Sequence, residues 1–152
     1  MLLQGAIKPP VPLDYGCNSM TAQSDSQALQ APIAIFDAMN TKNMALLEPY
    51  LNEDVRFDFP GTAQVVGKKR VLIFLKVLLR KYPDIVFQIH DVITDNDKAC
   101  IFWTNSARLE TSQPYLNSGL TLVHCVDNRI TFISDYFKDT SFVDAADTGS
   151  AQ

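Results

Sequence analysis

From residue 85 to residue 137 the sequence is almost wholly strand-like runs separated by turn residues, and this constrains the fold more than any other feature. The runs are IVFQIHDVI (85–93), KACIFWTNSARLE (98–110), YLNSGLTLVHCV (115–126) and ITFISDYF from 130. The joints are Thr94-Asp95-Asn96-Asp97, a loop holding Pro114, and Asp127-Asn128. Connections this short suit antiparallel neighbours, so the spacing predicts a meander. Asp127-Asn128 is a two-residue hairpin signal.

The residues before this meander read differently. Helical spacing is visible from Pro32, a residue suited to a first helical turn, with Ile35, Phe36 and Met39 on one face and Ile33 beside them. Asn40-Thr41-Lys42-Asn43 interrupts it, and Met44, Leu47, Tyr50 and Leu51 mark a second short helix. Asn52-Glu53-Asp54 then turns the chain into VRFDF, where Val55, Phe57 and Phe59 alternate with Arg56 and Asp58. Pro60-Gly61 ends that strand. The strongest helix is KKRVLIFLKVLLRKY (68–82), with an apolar stripe of Val71, Leu72, Leu75, Leu78, Leu79 and Tyr82; Gly67 precedes it and Pro83 closes it. Helices with one small strand, then a meander, make an α+β domain.

The chain has 152 residues, enough for one domain with an internal cavity. Its net charge of −4 argues against nucleic acid, and Lys68-Lys69-Arg70 reads as a solvated helix rim. Cys17, Cys100 and Cys125 are odd in number and form no CxxC, which points to a reducing, cytoplasmic setting without a zinc site. No apolar run reaches membrane-spanning length. Residues 1–27 read as a disordered extension rich in Pro, Ser, Gln and Gly, with Met20 opening a second plausible start; 28–144 reads as the domain and 145–152 as a loose tail. Neither phosphate loop, dinucleotide fingerprint nor metal cluster is present, so no cofactor is expected.

Four segments in order, FDAMNTKNMALLEPYL, DVRFDFPG, VGKKRVLIFL and NRITFISDYFKDTSF, carry a family resemblance. The region from about 28 to 143 resembles the nuclear transport factor 2-like superfamily and its SnoaL-like domains, a group related to polyketide cyclases, ketosteroid isomerases and limonene epoxide hydrolases. The resemblance implies a cone-shaped, curved antiparallel sheet wrapped around N-terminal helices (a cystatin-like cone). It also implies an apolar pocket for a small-molecule ligand and a homodimer through the sheet.

Each candidate site residue carries two readings. Asp135 resembles the acid of a similar "DYF" segment in limonene epoxide hydrolases; Ile133 and Phe137 share its face, so it is either the base of an apolar pocket or an inert acid at the mouth. Asp58 stands where the isomerase base stands in that group, or on a solvated strand face. His90 joins Asp135 if the face it shares with Gln88 lines the cone, and otherwise lies on a wet sheet face. Where the hydrolases carry Arg and a second Asp, this chain offers Thr104 and Ser106; where the isomerases carry Tyr and an acid, it offers Ile35 or Phe36, and Asn117, Ser118 or Thr121. The expected ligand-binding set is Phe36, Trp103, Thr104, Ser106, Asn117, Thr121, Phe137 and Phe142, with Tyr115 and Tyr136 nearby; core packing is the alternative for most of the aromatics.

Overall fold

The computed structural model describes residues 21–108 and 113–141. The first element, α1 (Thr21–Thr41), begins well before Pro32 and carries that proline in its interior. Pro32 is therefore not a helix start, and part of the expected extension, from Thr21, is helical. The ring of Pro32 is fully buried, and Ala31, Ala34 and Ala38 turn small side chains to the core, so packing outweighs the backbone hydrogen bond that proline removes. After α1, Lys42 takes a left-handed backbone and two 3₁₀ turns follow, Met44–Leu46 and Glu48–Tyr50, in place of the expected second helix.

Strand β1 (Leu51–Asp58) leads to a two-residue strand β2 (Val65–Val66), then α2 (Lys68–Lys81). Gly67 starts α2 at φ 102°, a backbone open to glycine, while its N–H is bonded to the Val55 carbonyl at 2.8 Å. The meander is β3 (Val86–Asp95), β4 (Lys98–Arg108), β5 (Pro114–Val126) and β6 (Arg129–Phe137). Asp127 and Asn128 both have positive φ, 50° and 58°, as a type I′ hairpin requires.

The six strands form one curved, unclosed sheet in the order β2-β1-β6-β5-β4-β3. It is mixed rather than wholly antiparallel, because β1 runs parallel to β6, pairing Phe57 with Ile133 and Asp58 with Ser134. Both helices lie on the inner face. The core gathers Ile35, Phe36 and Met39 of α1, Val71 and Leu75 of α2, and Val55, Phe57, Ile101, Trp103, Val123 and Ile133 of the sheet. Asn40 clamps α1 to β3: its amide donates to the Phe87 carbonyl at 2.9 Å and its carbonyl accepts the Phe87 N–H at 2.8 Å.

Strand alternation breaks once in β3. In β3 the register shifts between Ile89, paired with Trp103, and Asp91, paired with Phe102. His90 is the extra residue of this bulge, and beyond it Val92 turns inward opposite Ile101.

Candidate functional site

The inner face of the meander is set by period 2 along each strand. On β4 it carries Ile101, Trp103, Asn105 and Ala107, all buried. On β5 it carries Tyr115, Asn117, Gly119, Thr121 and Val123; on β6, Ile133, Asp135 and Phe137 follow from the pairs Val123–Ile133, Thr121–Asp135 and Gly119–Phe137. Between this face and the two helices lies a cavity of about 70 Å³, walled by Phe36, Phe57, Phe87 and Trp103 among other apolar residues. Its polar lining is confined to Tyr82, Asn105, Tyr115, Thr121 and Asp135.

Asp135 is the terminal acceptor of a hydrogen-bond chain crossing three strands. The Trp103 indole N–H donates to Thr121 Oγ1 at 2.9 Å, and the Thr121 hydroxyl donates to Asp135 Oδ1 at 2.6 Å. The direction follows from the inventory of groups: an indole nitrogen only donates, so the hydroxyl accepts from it and passes its own proton to the carboxylate. Burial among apolar walls pushes the Asp135 carboxyl up to about 6, against the smaller downward pull of the Thr121 bond. A carboxyl in that range is a far better proton acceptor near neutral pH than one at the ordinary value.

Gly119 makes this chain geometrically feasible. A Cβ there would overlap the Tyr136 carbonyl oxygen and would come within 2.7 Å of Trp103 Cζ2 and 2.9 Å of Phe137 Cβ. The missing side chain lets the indole lie across β5 and reach Thr121.

The expected residues separate cleanly. Asp135, Thr121, Trp103, Phe36 and Phe137 converge on the cavity. Asn117 is also on the inner face, yet its amide is fully engaged: Nδ2 donates to Tyr115 Oη at 2.7 Å and to the Asp139 carbonyl at 2.9 Å, and Oδ1 accepts from the Ser118 and Asp139 N–H groups. It braces β5 against the segment after β6 rather than facing a ligand. Thr104 and Ser106 fall on the outer face, one residue out of step with Trp103, so they do not line the cavity. His90 lies there too, with its Nε2 2.7 Å from Thr104 Oγ1, and does not approach Asp135. Asp58 points away from Phe57 and Phe59 and accepts from Gln64 Nε2 at 2.7 Å, so it is a strand-face acid and not a second base of the cavity. Tyr136 is on the outer face and 57% exposed. Phe142 lies outside the described residues.

The residue that sequence reading passed over is Asn105, which lines the cavity where Thr104 or Ser106 was expected. Alternation ties Asn105 to Trp103, so the inward face of Trp103, fixed by strand pairing, carries Asn105 inward and its two neighbours outward. Among the described residues, no three His, Cys, Asp or Glu side chains gather into a metal-binding group.

Comparison with known proteins agrees with this architecture. The model of the SnoaL-like domain matches residues 33–133. The chain belongs to the SnoaL-like domain family. Among solved structures it is similar to a candidate SnoaL-like polyketide cyclase from Jannaschia sp. CCS1, at TM-score 0.70 and 14% identity over 84% of this chain and 94% of that one. It is also similar to an LEH-like epoxide hydrolase from M. tuberculosis, at TM-score 0.63 and 19% identity over 74% and 84% of the two chains. A protein of ketosteroid isomerase-like fold from Catenulispora acidiphila DSM 44928, solved with trimethylamine, gives TM-score 0.67 and 17% identity over 76% and 89%. At these identities the likeness concerns the fold. No curated protein matches the chain.

Proposed function

We propose that this SnoaL-like protein is a cofactor-free acid/base enzyme in which Asp135 moves a proton on an apolar, oxygenated small molecule, in a cyclisation, isomerisation or epoxide opening. The observation that carries this reading is the placement of one carboxylate on the wall of an otherwise apolar cavity, with its pKa raised to about 6. Thr121 holds Oδ1, and among the described residues no hydrogen bond engages the second carboxylate oxygen, which is the one offered to substrate. As a base, Asp135 takes a proton from a carbon beside a carbonyl or from a water attacking an epoxide; the protonated carboxyl then returns it to the developing oxyanion or carbanion. The test is turnover of a panel of cyclic ketones and epoxides by wild type and Asp135→Asn. The expected result is a wild-type rate that rises with pH through about 6 and falls by about 10²–10⁴-fold in the variant. Turnover untouched by the substitution would remove Asp135 from the chemistry.

One observation favours a second reading, ligand binding without turnover. Apart from Asp135, the polar lining among the described residues is neutral: Asn105, Thr121 and two tyrosines, with no second acid or cation. Saturable binding of panel members, with no product formed by wild type, would select this reading.

For assembly, we propose a homodimer through the outer sheet face. It is supported by large apolar side chains left exposed on that face, Phe102 at 39%, Leu116 at 72% and Tyr136 at 57%.

A further inference from the structure

Asn105 is 8% exposed, and its carboxamide oxygen is buried without a hydrogen-bond partner among the described residues. Buried polar atoms are rarely left so, because the lost hydration is not repaid. The contrast with Asn117, directly opposite on β5, is informative: there the same side chain has all its hydrogen-bonding capacity used by the protein. Asn105 has no structural bond of that kind, yet it lies on the cavity wall beside Trp103 and Tyr115. An unpaired acceptor on an apolar wall selects for a molecule that brings the missing donor, and against an isostere that lacks it.

We propose that Asn105 is a specificity-determining residue: its side-chain oxygen accepts a hydrogen bond from a hydroxyl or N–H group on the end of the bound molecule remote from Asp135. The sheet register supplies the spacing. Asn105 pairs with Asn117, and Asp135 with Thr121, four residues further along β5 on its other side, roughly 13 Å along the strand. Trp103, lying over Gly119, forms the apolar floor between them. The ligand is therefore a largely apolar molecule, with aromatic surface suited to Trp103, Phe36 and Phe87, bearing a donor at one end and its reacting atoms at the other. This rests on the reading of the cavity as a ligand site and adds which chemical group that ligand must carry.

The test uses 4-ethylphenol and 4-ethylanisole, which differ in the O–H donor, titrated calorimetrically into wild type, Asn105→Leu and Asp135→Asn. Wild type is expected to prefer the phenol by about tenfold, the worth of one satisfied buried acceptor. Asn105→Leu should abolish that preference while still binding the ether. Because the leucine removes an unpaired polar atom, it should also raise the melting temperature of the ligand-free protein by about 2–4 °C; a merely structural asparagine would lower it. If the leucine variant does not fold, the wild-type Asn105 side-chain amide signal in a ¹⁵N spectrum takes its place, and it should shift with the phenol and not with the ether. A phenol preference that survives Asn105→Leu, or that is lost only in Asp135→Asn, overturns the proposal and leaves the cavity reading standing. Equal binding of the two probes by wild type does the same. Failure of both probes to bind wild type removes the cavity reading, and this inference with it.

Discussion

At the scale of single residues, Asp135 makes the strongest claim on pH dependence. Its carboxyl titrates near 6 in the fold and near 3.8 in the unfolded chain, so the folded state holds the proton more tightly. The contribution of Asp135 to stability is therefore greatest below about 3.8, falls as pH rises through the interval to about 6, and stays lower above it, because an ionised carboxylate is then confined to an apolar wall. Asp135→Asn keeps an oxygen to accept from Thr121 and cannot ionise. It should stabilise the protein by about 2–3 kcal/mol at pH 8 and change little at pH 3.5, measured by denaturant unfolding at both values. A variant that is destabilised at pH 8 would mean that the carboxylate is better solvated or better bonded than its surroundings indicate. Thr121→Val removes the one hydroxyl that favours the charged form, so the Asp135 carboxyl should titrate still higher, as followed by carbon-detected NMR.

The meander places the site through two features of its elements: the glycine in β5 and the clamp between α1 and β3. Gly119→Ala puts a methyl group against Trp103 Cζ2, Phe137 Cβ and the Tyr136 backbone, and backbone does not yield cheaply. The expected cost is about 1–3 kcal/mol in stability, with a changed emission maximum from Trp103, the only tryptophan in the chain. An unaltered spectrum would mean that the indole does not depend on the gap. Asn40→Ala removes both hydrogen bonds to Phe87 and leaves that strand N–H and carbonyl to find other partners, at a cost of about 1–3 kcal/mol read from a urea midpoint.

For the molecule as a whole, the sheet separates two faces of different character. The concave face holds the core and the cavity, while the outer one presents Phe102, Leu116 and Tyr136. The proposed dimer predicts a mass near twice 17.0 kDa by light scattering, and a single Phe102→Glu should shift it to the monomer by burying an unpaired charge in the interface. A wild-type monomer at micromolar concentration would end that proposal. No helix among the described residues is long and apolar enough to cross a membrane.

Sequence by itself determined the succession of helices, one small strand, a second helix and a meander, with its Asp127-Asn128 hairpin and the position of Asp135 on an apolar strand face shared with Ile133 and Phe137. These are local consequences of periodicity and turn chemistry, legible over a few residues. It showed the alternation of Asp58 with Val55, Phe57 and Phe59 as well, but left open whether Asp58 served the pocket; the structure pairs it with Gln64 away from the cavity. The start of α1 was not legible, because the proline that ordinarily marks a helix's first turn is tolerated inside this helix where its ring is buried. Nor was the choice between Asn105 and its neighbours, since in IFWTNSAR both Phe102 and Trp103 are large and apolar, and pairing with β3 and β5 alone decides which of them faces the core. His90 kept two readings for a related reason: alternation puts it on one face with Gln88, but only pairing with β4 decides that this face, shared with Thr104, is the outer one. The parallel pairing of β1 with β6 and the Trp103–Thr121–Asp135 chain are likewise products of tertiary structure, because they join residues from strands that no local signal relates.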